Sequence, residues 1–453
     1  MVNILGKRGN SSSNFNQFSV YARASLTMPR VSTRLKALQD IEDSALVIVG
    51  CIALLKPSER KSWWRNIQFL INIHTIISDY RYFAARGESA GRHNDDILDN
   101  IIYDFSEERF LAMFRMHRSS FWLISNILEE AGGAGYWDGR VPGKGSRQQR
   151  PVYQQVAVTL YILGAAGGGC HEHSGVNSNI GKGTVSLYTW RTIKILVKLL
   201  PVYVRWPTAR QREEINPPTN VFRHCIGFLD GSGIILRYKP TIDPQSYYSH
   251  KGFYGFNLQA ICDWNSKFLW VAMGHTASAH DSRAFKFTPL YHNIQNSFSQ
   301  NEYILADKAY ALEEHVITPY KGAISREPIH SAFNYALSVP RVKIEHAFGI
   351  LKARWPSLRD VPIRIGEDVD AGHLKVLYWT ISCVVLHNML ASMKDDELWL
   401  AELAAQEISR HKPEQPGDRD GERERDRDHN RDNAQTRGTV RRNTLRDLVA
   451  IGG

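Results

Sequence analysis

Between Cys225 and Glu345 the chain repeatedly brings an apolar run up to an acidic residue, and that pattern constrains the fold most. CIGFLDGSGI is an apolar run that reaches Asp230, with Gly231 and Gly233 behind it. It reads as a buried central strand that ends on a carboxylate, with the two glycines breaking it. NLQAICDWNSKFLWVAMGHT holds two β-rich runs around Asp263-Trp264-Asn265-Ser266. That is the signature of a hairpin, and Asp263 reads as one of its turn residues. SAHDSRAF sets Asp281 at a helix start, and YILADKAY is a second short strand that stops at Asp307. RVKIEHAFGILKARW spaces Ile344, Phe348 and Leu351 along one helical side, with Glu345 next to that stripe.

An aspartate at a strand end is ordinarily a turn or cap residue. Four acids in the order strand, helix start, strand, helix call for more. Carboxylates crowded together repel unless a cation neutralises them. Mg²⁺ is hard and prefers oxygen donors, so thiols are not needed. Two such ions roughly 3.5–4 Å apart activate a water and stabilise the leaving oxygen in phosphodiester cleavage. Asp230, Asp281, Asp307 and Glu345 are therefore the expected ligands of Mg²⁺ or Mn²⁺. The fold class expected is α/β: a ribonuclease-H-like mixed sheet flanked by helices. A formal charge of +10 suits a polyanionic partner such as nucleic acid. Lys352, Arg354, Arg359 and Arg364 form a basic edge beside the site, with a plain solvated face as the alternative. A phosphohydrolase acting on small substrates fits those basic flanks less well.

The expected organisation has four parts. Residues 1–39, rich in Ser, Asn and Arg, read as a flexible lead. Residues 40–214 read as an all-helical region, 215–395 as the nuclease domain, and 396–453 as a helix with a disordered, charged C-terminal tail. Ala45 to Leu55 is an apolar run too short to cross a bilayer and reads as a core helix, so no membrane association is expected. Five scattered cysteines imply no disulfide framework. In FSEERFLAMFRMHRSSFWLISNILEE two helices meet near His117-Arg118-Ser119, with Ser119 as a cap for the second and Gly132-Gly133 ending it. Pro151 opens a helix that Gly164 stops, and a second helix follows Gly183-Thr184. That layout is a helix-turn-helix unit, in which Lys182, Thr184, Ser186 and Arg191 would face DNA. An ordinary helical hairpin is the even alternative. Cys170, His171 and His173 crowd the intervening turn without a fourth zinc ligand at regular spacing, so a polar loop is favoured there.

GFLDGSGI, SYYSHKGFYGFNLQAICD, GHTASAHDSRAF, YILADKAY, FNYALSVPRVKIEHAFGILKARW and SCVVLHNML together resemble the DDE domain of PIF/Harbinger-type transposases and their domesticated relatives. The resemblance runs from about Arg115 to Met393. It implies a nuclear enzyme that cuts and joins the DNA at element termini with Mg²⁺ or Mn²⁺. Asp230 and Glu345 would be two of its catalytic acids, with Asp307, at a strand tip, ranked ahead of Asp281 as the other; Asp281, in the family's His-Asp-Ser motif, is otherwise a further ligand or a helix cap. Arg341, Glu345 and Lys352 match the Arg-x3-Glu-x6-Lys signature of related insertion-sequence transposases, with Ser338 where a tyrosine leads it. Arg341 and Lys352 would then contact phosphates. Ser232 stands where the family often has Thr, and Lys308-Ala309 where Ser-Gly is usual. The resemblance further implies a homo-oligomer and a separate Myb/SANT-like partner protein. A domesticated DNA-binding or scaffold protein without chemistry is the alternative.

Overall fold

The computed structural model describes residues 37–45, 65, 67–75, 77, 96–138, 149–165, 180–215, 221–395, 399 and 431–452. The chain divides into two compact units, Met1–His93 and Asn94–Gly453. The first is helical over 37–45 and 67–75, where His74 Nε2 meets Glu42 Oε1 at 2.9 Å. Most of the apolar run expected to form a core helix lies outside the described residues. So do the Cys170, His171 and His173 cluster and most of residues 1–39.

The second unit begins with helices α1 (Asp96–Asp104), α2 (Glu107–Phe114), α3 (Arg118–Gly132), α4 (Val152–Gly164) and α5 (Lys182–Lys198). The expected boundary between α2 and α3 is found, but Ser119 does not cap α3. The cap position is His117, and the Arg118 N–H is satisfied by Glu107 Oε1 at 2.8 Å instead. A carboxylate from the preceding helix thus does what the serine was expected to do. Gly133, at φ 73°, ends α3 as read from the sequence.

The sheet has five strands: β1 (Cys225–Ile235), β2 (Gly255–Cys262), β3 (Phe268–Thr276), β4 (Tyr303–Ala306) and β5 (Val316–Ile317), in the order β3-β2-β1-β4-β5. β1, β2 and β3 pair antiparallel, while β4 and β5 run parallel to β1. The β2–β3 hairpin turns where expected, with Asp263 Oδ1 accepting the N–H groups of Asn265 and Lys267. α6 (Asp281–Lys286) starts on Asp281. α7 (Pro328–Arg354), α8 (Val369–Ser392) and α9 (Arg431–Gly452) complete the fold. A mixed sheet flanked by helices is consistent with the ribonuclease-H-like arrangement.

Two expectations about boundaries need correction. β1 does not end at Asp230. It pairs with β2 as far as Ile235, so Gly231 and Gly233 lie inside the strand. They are glycines because neighbours approach too closely for a Cβ. One on Gly233 would stand 2.5 Å from the Phe253 ring, and one on Gly231 2.6 Å from Gln259 Nε2. The second correction concerns the boundary at 214: residues 94–214 form one compact unit with 215–395, while 40–93 fall in the other unit. Ile102, Phe121, Leu160, Ile193, Phe228, Ile344, Trp379 and Leu386 all belong to one apolar core. α8 packs across α5, with Trp190 and Trp379 edge to face at 6.2 Å and Asn388 Nδ2 donating to Tyr203 O at 2.7 Å. By length and composition α8 passes for a membrane span, yet it is a mostly buried core helix. At the C-terminus α9 places Leu445, in the closing TLRDLVA segment, in this core, and Tyr320 donates to Asn443 Oδ1 at 2.6 Å, while most of the mixed-charge run before it lies outside the described residues.

Candidate active site

Side chains alternate across a strand, and the two apolar clusters show which way β1 faces. Phe228 and Ile234 join the core that holds Ile344, Phe348 and Leu351 of α7. Leu229 joins a smaller cluster on the other face, with Ile261, Phe285 and Tyr310. Asp230 shares the parity of Phe228 and therefore points to the α7 side. The last parallel pair between β1 and β4 is Leu229 with Ala306, so Asp230 and Asp307 follow side by side at the centre of the sheet.

The surroundings of Asp230 are electrostatically unbalanced. Burial raises its carboxyl to about 6, the charges of Asp307 and Asp281 push the same way, and the Gly231 N–H and Arg341 oppose them. Arg341 is therefore the cation of α7 that stands nearest this group. Farther along α7, Lys352 Nζ donates to Gly233 O at 2.7 Å, and burial lowers its ammonium to about 8. Arg341, Glu345 and Lys352 lie four and then seven residues apart, hence on one stripe of the helix. Glu345 thus stands exposed on α7 between Arg341, whose charge acts on Asp230, and Lys352, which bonds β1 at Gly233 O.

Asp281 is placed differently. Its Oδ1 accepts from Asn257 Nδ2 at 2.8 Å and from Gln259 Nε2 at 3.0 Å. Gln259 lies opposite Gly231 in the ladder, and a Cβ at Gly231 would run into Asp281. Asp281 thus packs beneath β1, on the face away from α7. Asp281 therefore meets β1 from the other face, close enough for its charge to act on Asp230. Among the described residues no three His, Cys, Asp or Glu side chains stand together as a ready metal site. The donor set still suits a hard cation. Asp230 and Asp307 offer only oxygen, and their mutual repulsion is opposed by Arg341 at Asp230 and by Lys321 at Asp307. A cleft of about 300 Å³ opens on the Asp281 side of β1, lined by Gly231, Ser249, His250, Lys251, His280 and Asp281 rather than by Asp230 and Asp307 themselves.

The basic residues singled out in the sequence divide. Arg341 and Lys352 lie at the site. Arg354 does not belong to a basic edge: it is fully buried, paired to Asp395 Oδ2 at 2.8 Å and stacked 4.5 Å from the Trp399 ring. Arg359 and Arg364 are exposed, the latter 4.3 Å over the Tyr238 ring. In α5, Lys182 is exposed and Thr184 and Ser186 are half-buried. Arg191 does not face outward. It donates to Trp137 O at 2.6 Å and to Gln155 Oε1 at 2.9 Å, which makes it a brace within the helical layer. Sequence reasoning missed Asn257, Gln259, Tyr310 and Lys321, whose amine donates to Tyr310 O at 2.9 Å near Asp307. Polar residues at alternate positions of an otherwise apolar strand, NLQ in β2, were the signal for the first two.

Comparison with known proteins agrees with this geometry. Residues 229–388 match the DDE superfamily endonuclease family. The chain is 26% identical over 264 residues to the Arabidopsis thaliana "Protein ALP1-like", covering 54% of this chain and 62% of that protein. It is 20% identical over 256 residues to the Xenopus laevis "Putative nuclease HARBI1", covering 54% of this chain and 72% of that protein. It therefore spans less than two thirds of the Arabidopsis protein's length. No solved structure matches it. Through residues 229–388, which match the DDE superfamily endonuclease family, the chain is related to the Harbinger-type DDE transposases.

Proposed function

We propose that this chain is a metal-dependent DNA endonuclease and strand-transferase that acts on element-end DNA in the nucleus. One observation carries the reading: Asp230 and Asp307 stand side by side at the centre of the sheet, on the side where Arg341 of α7 acts on Asp230. Asp230, Asp307 and Glu345 would hold Mg²⁺ or Mn²⁺. Two such ions supply an activated water or hydroxyl and a stabilised leaving oxygen. The protein's own part is positioning. Arg341 and Lys352 bind the phosphates that flank the scissile bond, since contacts to phosphate fix register rather than read sequence. Lys182, Thr184 and Ser186 at the start of α5 are the candidates for duplex contact outside the cleft. A homo-oligomer and a Myb/SANT-like partner protein belong to the same reading.

Lys308-Ala309, standing beside Asp307 where the related transposases usually carry Ser-Gly, leaves room for a second reading, a domesticated DNA-binding or scaffold relative that performs no chemistry. Both are tested with the full chain, labelled duplex, and Mn²⁺ or Mg²⁺. The first reading expects nicking that Asp230→Asn abolishes while duplex binding persists. Tight duplex binding without nicking in either metal would favour the second, and retained cleavage in Asp230→Asn would remove the carboxylate assignment.

A further inference from the structure

Behind the two central acids lies a polar chain that the proposed chemistry leaves unused. The Tyr310 hydroxyl donates to Gln259 Oε1 at 2.7 Å. Gln259 Nε2 then donates to Asn257 Oδ1 at 2.7 Å and to Asp281 Oδ1 at 3.0 Å. Asn257 Nδ2 donates to the same Asp281 oxygen at 2.8 Å and to Ala279 O at 3.3 Å. The direction is forced at each step: a tyrosine donor meets an amide oxygen, and both amide nitrogens run toward the carboxylate. Tyr310 and Gln259 are almost fully buried, where a half-satisfied polar chain would be costly.

Tyr310 is also fastened to the Asp307 turn. Its N–H donates to Asp307 O at 3.3 Å, and the Ala309 N–H donates to Asp307 Oδ1 at 2.8 Å. Its ring packs edge-on against Phe285, 6.0 Å away and one helical turn after Asp281. One tyrosine therefore ties the turn that presents Asp307 to the helix that begins at Asp281, beneath the strand that presents Asp230.

We propose that Tyr310, Gln259 and Asn257 form a buried relay that anchors on Asp281 and holds the Asp307 turn in register with Asp230. Asp281 is then a positioning residue and not a metal ligand. This rests on the reading of Asp230 and Asp307 as cation-binding acids. Partners behind metal ligands commonly change metal affinity when removed, even though they never touch the ion.

The test is Mn²⁺ binding to the full chain by titration calorimetry, with thermal unfolding of each variant in chelator. Tyr310→Phe keeps the ring and removes only the hydroxyl. It should weaken Mn²⁺ by about tenfold or more, while in chelator the variant still unfolds in one cooperative transition, at a midpoint lowered only by the unmet Gln259 acceptor. Asp281→Asn keeps an oxygen to accept both amides, so it should retain Mn²⁺ binding that Asp230→Asn loses. Unchanged Mn²⁺ affinity in Tyr310→Phe overturns the relay. So does an Asp281→Asn variant that loses Mn²⁺ as completely as Asp230→Asn. If Asp230→Asn itself binds Mn²⁺ like the parent, the carboxylate reading fails and the relay with it, which separates the two failures.

Discussion

Gly231 matters for what it lacks. A methyl there would stand 2.6 Å from Gln259 Nε2 and closer still to the Asp281 carboxylate, both already committed to each other. Gly231→Ala should cost about 1–3 kcal/mol in urea unfolding, the usual range for overpacking a tight site. Gly183→Ala, with nothing within 4 Å of its Cβ and a place in α5, should be neutral or stabilising. Asp230 supports a pH prediction. Its carboxyl titrates near 6 in the folded chain, against about 4 when unfolded. Between those values the native state holds a proton that the unfolded state has released, so metal-free stability falls as pH rises through that window. Asp230→Asn should flatten that slope in chelator. Mn²⁺ binding to the parent should run the opposite way, weakening as pH drops below the folded value, because the ion needs the ionised acid.

At the scale of elements, the strands and their acids were legible and the long helix was only half so. Apolar runs that stop at polar residues gave β4, the hairpin and the start of α6, since burial on both faces leaves a plain pattern. α7 was read from Arg341 onward, but it begins at Pro328 and runs through Pro340, 27 residues in all. A proline inside a helix removes one hydrogen bond and normally argues for a break. Here Phe333 and Leu337 lie in the same core as Ile344, and Pro340 between them is buried too, so packing carries the helix through. The site's polar underside was illegible for a related reason. Asn257 and Gln259 acquire meaning only when β2 lies beside β1 and Asp281 comes up from below. Arg191 shows the same limit on α5, where a basic residue on a candidate recognition helix turns inward to brace Trp137 and Gln155. Arg191→Ala should therefore lower stability by about 1–3 kcal/mol, the cost of leaving buried acceptors unmet. Its duplex affinity in a gel shift should stay at the parent value; a selective loss of binding with full stability would return Arg191 to the DNA face.

Across the whole molecule, the helices before the sheet complete the core on which the sheet is built. α8 buries Val384, Val385 and Leu386, and its outer side is covered by α5, where Ser382 Oγ reaches Ile193 O at 3.4 Å. A buried polar knot joins the same layers: Asp395 accepts from Ser120 at 2.7 Å and His117 N at 3.1 Å while holding Arg354 at 2.8 Å. Breaking such a pair strands an uncompensated buried charge, at a cost of about 3–5 kcal/mol. Residues 215–395 alone would keep Arg354 and Asp395 but lose Ser120, His117 and the α5 cover over α8. That fragment should show secondary structure by circular dichroism but bind a hydrophobic dye and melt without a sharp transition, as collapsed states without fixed packing do. Residues 94–453, which keep every layer, should melt cooperatively and resist limited proteolysis. A cooperative melt from 215–395 alone would show that the acidic domain owns a sufficient core, and would put the boundary back near residue 214, where composition had first suggested it.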